Sequence, residues 1–199
     1  MSQPSETADD VARGLPAGFR YLPDVLAPEQ AAQQFAALLA ETPWETHTLA
    51  MFGRRVEMPR RICMFGPRGY RYSGVVHPPR QLSPRLQQLL AEVEAAAGAR
   101  FNSVLLNLYR DGRDSVAWHS DDDYDHGGQP VIGSLSLGAT RRFQIRSRSL
   151  PRRDHAIDLA GGSVLVMAGD SQRCWQHRLP RTARPVGPRI NLTFRWMVG

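Results

Sequence analysis

Lysine is absent from this 199-residue chain, and all 25 of its basic residues are arginine. Cysteine is nearly absent: Cys63 and Cys174 are too few for a disulfide framework or a cysteine-built zinc site. No apolar run is long enough to span a membrane, and no basic start leads into an apolar stretch as in a secretory leader. These absences fit a reducing cytoplasm, and no membrane association is expected. Repeats and low-complexity tracts are missing beyond a Ser/Glu/Asp/Gln-rich opening. That opening, taken as residues 1–18, is expected to be a disordered lead. Residues 19–199 are long enough for a single domain with a real core.

The charge is one-sided. The net charge is +6 and the sequence pI about 10.1, which favours a polyanionic partner, nucleic acid first. Nothing in the pattern marks a protein partner or an obligate interface, and a monomer is expected.

Two helices can be read directly. Ala27 to Glu41 is Ala/Leu/Gln-rich, with Pro28 in the first turn. Ser83 to Ala97 has Ser83 as N-cap, Pro84 at the first helical position and a stripe of Leu86, Leu89, Leu90 and Val93. Gly98 is its stop. Between them, Trp44 to Gly74 is aromatic, Arg-rich and turn-rich, which predicts hairpins. After Phe101 the chain breaks into strand-length runs: 103–109, 131–137, 142–146, 156–159, 163–168, 173–177 and 189–198. Many short strands after two helices predict an all-β sandwich or barrel core with helices packed outside.

Three strand patterns carry chemistry. In the last run, Ile190, Leu192, Phe194 and Trp196 form one apolar face, while Arg189, Asn191, Thr193 and Arg195 form the other. Two guanidiniums on one face call for an anion, and a solvated face is the alternative. His119-Ser120-Asp121 can aim an imidazole and a carboxylate at one ion, and His177 is a candidate third ligand. A 2-His-1-carboxylate set leaves coordination positions open and suits non-heme Fe(II); a surface histidine beside an acidic loop is the alternative. Asn107 and Tyr109 share a face opposite Leu106 and Leu108. A tyrosine satisfied locally would explain that pair equally well.

In this order the patterns resemble the AlkB-type Fe(II)/2-oxoglutarate dioxygenases. The resemblance rests on N-x-Y (107–109), H-x-D (119–121), a distant His177 and R-x-N-x-T-F-R (189–195). It extends to 134–138, 142–146 and 161–167, covering roughly Phe19 to Val198. It implies a mainly β fold with flanking helices. Residues 101–199 would form a double-stranded β-helix (jelly-roll) core, and residues 19–100 the helices and nucleotide-recognition hairpins. It implies His119, Asp121 and His177 as Fe(II) ligands, with 2-oxoglutarate and dioxygen as co-substrates. Arg189 and Tyr109 would bind the distal carboxylate of 2-oxoglutarate, and Arg195 and Asn107 its C1 end, with the division between the two arginines left open. Asn191 and Thr193 would line the same pocket. The implied reaction couples 2-oxoglutarate decarboxylation to hydroxylation of an N-alkyl group, releasing formaldehyde from 1-methyladenine or 3-methylcytosine in DNA.

For the substrate, 51–54, with Phe52 and Gly53, and 59–60 resemble the hairpin that the duplex-DNA branch inserts into the base stack, with Phe52 as the apolar wedge. Tyr70 and Tyr72 lie where the family stacks a flipped base, Tyr72 as the stacker. Asp123, or alternatively Asp122, would meet the exocyclic amine of a cationic base. Arg54, Arg55, Arg60 and Arg113 are candidate phosphate contacts. The same chemistry on RNA or protein, a non-catalytic nucleic-acid-binding module and a zinc hydrolase are the competing readings. A zinc hydrolase leaves the Arg189/Arg195 face unexplained.

Overall fold

The computed structural model describes residues 14–51, 54–67, 70–72, 75–77, 79–121 and 131–198; of residues 49–51, 54, 55, 70–72 and 75–77 only the backbone is described. Helix α1 (Pro28–Glu41) starts on its proline and stops where Thr42 turns extended ahead of Pro43, the conformation a following proline enforces. Helix α2 (Pro84–Ala97) begins as its sequence dictates, with Ser83 Oγ accepting from the Leu86 N–H at 3.3 Å. It ends on Gly98 in the left-handed region at φ 67°. Its Leu86, Leu89 and Val93 are fully buried.

Both helices cover one face of a seven-stranded sheet ordered β1-β11-β8-β13-β6-β3-β2. Its strands are β1 (Phe19–Leu22), β2 (Glu45–Met51), β3 (Arg54–Phe65), β6 (Ser103–Tyr109), β8 (Ile132–Gly138), β11 (Val164–Met167) and β13 (Arg189–Arg195). All pairings in it are antiparallel. The other face looks toward a four-stranded sheet ordered β10-β9-β12-β7, made of β7 (Val116–His119), β9 (Arg141–Ser147), β10 (Asp154–Leu159) and β12 (Trp175–Leu179). A small hairpin, β4 (Tyr70–Tyr72) with β5 (Val75–His77), stands apart. Within the stretch 44–74, where hairpins were expected, β2 and β3 pair antiparallel, while β4 at its end pairs with β5 beyond it.

Strand β13 lies at the centre of the large sheet, between β6 and β8. Its Ile190, Leu192 and Phe194 enter the helix-side core with Leu106, Leu135 and Val93. A second core lies between the sheets, where Phe19, Ile132, Ile145 and Leu165 meet. Close approach explains one glycine: a Cβ on Gly133 would stand 2.4 Å from Val93 Cγ1 and 3.2 Å from the Phe101 ring. The close docking of helix α2 on β8 therefore uses the absence of a side chain at that position.

Several sequence expectations shift. Trp196 was placed on the core face of the last strand, but β13 ends at Arg195 and Trp196 is 45% exposed. The run 173–177 starts not as a strand but in the short helical turn α3 (Ser171–Cys174), which passes directly into β12. Strand β1 lies in a stretch without a clear alternation signal, and it pairs with β11 at the sheet edge. Just before it, Leu15 is buried in the inter-sheet core. No helix among the described residues is long and apolar enough to cross a membrane.

Candidate active site

The alternative of a solvated Arg189–Arg195 face is excluded by burial: Arg189 is 2% and Arg195 3% exposed, and Asn191 and Thr193 are buried with them. The face lines a cavity of about 280 Å³ between the two sheets. Asn107 and Tyr109 of β6 join it from the neighbouring strand, where Arg189 lies opposite Tyr109 and Asn191 opposite Asn107. From the smaller sheet come His119, Phe143 and His177, and from the bend after β7 comes Asp121. Arg60 of β3 completes one wall and donates from Nε to Asn107 Oδ1 at 2.9 Å.

His119 and His177 are cross-strand partners on β7 and β12, so register alone brings their rings to 4.3 Å between centroids. Each Nε2 stands 3.8 Å from an Asp121 oxygen, and the ligand atoms of all three residues lie within 4.8 Å of one another. The His119 Nδ1 is 2.8 Å from the Ala117 carbonyl. In the tautomer that donates this bond, Nε2 keeps its lone pair for an ion. Phe143 stacks on His177 at 5.3 Å and fixes its ring from behind. Two imidazoles and one carboxylate on one side of an open cavity fit a divalent iron that must keep coordination positions for other molecules.

Asp121 does not lie on a strand. Strand β7 ends at His119, and the carboxylate is presented from the bend beyond it. Burial acts to raise its pKa, but Arg195, His177 and His119 together outweigh burial and hold the group well below the ordinary carboxylate range. Arg195 Nη2 reaches Asp121 Oδ1 at 2.8 Å, so this arginine already has an anion inside the protein.

Arg189 has none. Among the described residues its guanidinium makes one hydrogen bond, from Nη2 to Ser136 Oγ at 2.9 Å, and no ion pair; its buried Nε has no partner. It lies over the Tyr109 ring at 5.4 Å. Burial pushes its pKa down to about 10, against the pull of Tyr109 and with a further push from Arg141. A desolvated cation facing a cavity beside a tyrosine is a site for a carboxylate brought by a ligand. Asn191 and Thr193 are turned partly inward on themselves: the Asn191 amide donates to Ser134 Oγ at 2.8 Å and the Leu135 carbonyl, and the Thr193 hydroxyl donates to Asn191 Oδ1. They shape the pocket and leave Arg189 as its unsatisfied charge.

All six expected co-substrate residues and all three expected metal ligands therefore meet in one cavity. Of the expected substrate residues, Arg60 lines it too. Tyr70 and Tyr72 fall in β4, where only the backbone is described, and Phe52, Gly53, Asp122 and Asp123 lie outside the described residues. Of the candidate phosphate contacts, Arg113 is paired with Asp111 at 2.6 Å. Sequence reasoning overlooked Phe143 and Gln172. Gln172 Oε1 accepts from the backbone N–H of Asp121 at 2.8 Å across 51 residues of chain, a contact that no local pattern announces.

A family model described as the 2OG-Fe(II) oxygenase superfamily matches residues 18–195. The chain is 38% identical over 176 residues to the alpha-ketoglutarate-dependent dioxygenase alkB homolog 3 of Bos taurus, covering 84% of this chain and 62% of that protein. Against the Homo sapiens protein of the same name it is 38% identical over 167 residues, covering 79% and 58%. It is 33% identical over 222 residues to the DNA oxidative demethylase ALKBH2 of Arabidopsis thaliana, covering 96% of this chain and 69% of that protein. The chain thus spans about three fifths of the length of the first two relatives. In fold it is similar to a solved structure of OsALKBH1, with a TM-score of 0.66 and 18% identity, covering 91% of this chain and 99% of that one.

Proposed function

The chain belongs to the 2OG-Fe(II) oxygenase superfamily, of the AlkB type, and from that premise we propose that it oxidatively removes N-linked alkyl groups from nucleobases, 1-methyladenine and 3-methylcytosine in DNA first. The observation that carries this reading is the pairing of a His119/Asp121/His177 cluster with a buried, anion-lacking Arg189 in one cavity. The two halves match the two things the family name specifies, Fe(II) and 2-oxoglutarate.

In this reading His119 Nε2, Asp121 and His177 hold the metal. Arg189 clamps the distal carboxylate of 2-oxoglutarate, with the Tyr109 hydroxyl beside it. Asn107, its Oδ1 occupied by Arg60, turns its amide N–H groups to the other end of the co-substrate. Arg195 acts mainly by holding Asp121 in place. Bound together, Fe(II) and 2-oxoglutarate supply the oxidising power that activates dioxygen for hydroxylation of the alkyl carbon. The protein orients the alkyl group and excludes water from the cavity.

Residues 101–199 would then be a double-stranded β-helix core, and the segment before them the substrate-recognition region. A base reaches a cavity between two sheets only when turned out of its stack. Phe52, between β2 and β3 in sequence, would fill the gap left behind, Tyr72 would stack on the extruded base, and Asp122 or Asp123 would favour a cationic one. Arg60 would face the base from the opposite wall. The net charge of +6 suits a polyanionic substrate, and the relatives named DNA oxidative demethylase, at 33–35% identity, favour nucleic acid over protein.

The test is formaldehyde release from oligonucleotides carrying 1-methyladenine or 3-methylcytosine, supplied with Fe(II), ascorbate and 2-oxoglutarate. Single-stranded DNA, duplex DNA and RNA are run in parallel. Turnover on at least one DNA substrate is expected. Turnover confined to RNA would move the substrate class, and none on any methylated strand by a protein that binds metal would sink the proposal.

A further inference from the structure

Asp121 is the one residue of the metal cluster that the sheets do not hold. Its neighbours in the cluster are fixed by a ladder, His119 on β7 and His177 on β12, whereas Asp121 sits in the bend after β7, directly before the stretch 122–130. The support comes from across the chain, from the helical turn α3. Gln172 Oε1 accepts the Asp121 backbone N–H at 2.8 Å. One residue earlier, the Ser120 hydroxyl donates to the Trp175 carbonyl at 3.0 Å. Arg148 Nη1 bridges the two sides, donating to Ser120 Oγ at 3.3 Å and to the Gln172 carbonyl at 3.4 Å.

Gln172 is itself held. It is 3% exposed, and its Nε2 donates to Ser171 Oγ at 3.2 Å and to Met167 Sδ at 3.6 Å. With donor and acceptor ends both engaged, the amide has one orientation and cannot flip without losing contacts at each end. The turn beneath it is anchored on the start of β1: the Ala168 N–H donates to the Gly18 carbonyl at 2.8 Å, and a Cβ on Gly18 would stand 2.6 Å from the Ala168 carbonyl oxygen. Three residues after α3 ends, the same chain supplies His177. One rigid segment therefore carries one metal ligand and positions a second.

We infer that Gln172 is a positioning residue of the metal site, setting the backbone of Asp121 so that its carboxylate meets His119 and His177. This rests on the reading that these three residues bind the metal. Gln172 does not line the cavity, so its effect belongs on metal affinity and ligand geometry, whatever the protein oxidises. Partners of this outer kind affect metal affinity by roughly 10- to 100-fold in other metalloproteins.

The experiment is titration of the metal-free protein with Mn(II), followed by the visible absorption of the Co(II)-loaded form, with far-UV circular dichroism as the folding control. Gln172→Met, of similar volume but offering the Asp121 N–H only a weak thioether acceptor, is expected to weaken Mn(II) binding roughly 10- to 100-fold and to alter the Co(II) bands. Gln172→Glu, which keeps an acceptor there, should retain more of the affinity than Gln172→Met. If Gln172→Met is unfolded, Gln172→Asn decides, since its amide is one methylene too short to reach Asp121. Folded variants with parental Mn(II) affinity and Co(II) spectrum would overturn the inference. A parental protein that takes up no Mn(II) would overturn the triad itself, an outcome distinct from equal binding by parent and variant.

Discussion

Arg189 and Arg195 stand six residues apart on one buried face of one strand, yet their electrostatics differ. Arg195 is paired with Asp121 at 2.8 Å, whereas among the described residues the Arg189 guanidinium bonds only to the Ser136 hydroxyl. The sequence pattern could show that both need an anion but not that one anion is internal, because Asp121 reaches the face from the bend beyond the opposite sheet. The Arg195–Asp121 pair has a consequence for acid stability. The folded-state pKa of Asp121 lies below its ordinary 3.8, so the contribution of the charged carboxylate is complete above that value and is lost as pH falls through the lower folded value. Metal-free protein should lose stability on acidification below about pH 4. Asp121→Asn, which leaves Arg195 buried without its anion, should start lower and show a shallower pH dependence. Urea midpoints measured from pH 6 to pH 3 check this, and parallel curves for the two proteins would contradict it.

At the scale of elements, the helices and the catalytic strands were legible because their signals are local. Ser83, Pro84 and Gly98 mark the ends of α2, and two-residue alternation marks β6 and β13. What stayed hidden depends on contacts distant in sequence. Strand β1 is short and is defined by its pairing with β11, α3 is a single turn, and the bend carrying Asp121 is shaped by Gln172. The H-x-D spacing suggested two ligands on one strand; the cluster forms instead from a strand end and the bend after it. The docking of α2 on β8 makes its own prediction. Gly133→Ala places a methyl against Val93 and Phe101 and should cost about 1–3 kcal/mol in overpacking. Since that contact lies on the helix side of the sheet, away from the cavity, metal affinity in the folded fraction should stay at the parental value. Chemical denaturation with a parallel metal titration measures both, and a neutral Gly133→Ala would show that the contact can relax.

For the whole molecule, the two sheets divide the work. The seven-stranded sheet buries one face against the helices and turns Arg189 toward the cavity from the other, while the smaller sheet and its adjoining bend bring the metal cluster to the same space. Such a site stores a cost: a buried cation awaiting its ligand destabilises the empty protein and is offset when a carboxylate arrives. In the proposed function this carboxylate is that of 2-oxoglutarate. The direct measurement is calorimetric titration of 2-oxoglutarate into Mn(II)-loaded parent and Arg189→Met, alongside the urea midpoint of each ligand-free protein. Arg189→Met should weaken 2-oxoglutarate binding roughly 30- to 1000-fold, about 2–4 kcal/mol, with Mn(II) affinity retained and the ligand-free variant at least as stable as the parent. Equal affinity of the two proteins for 2-oxoglutarate would contradict it.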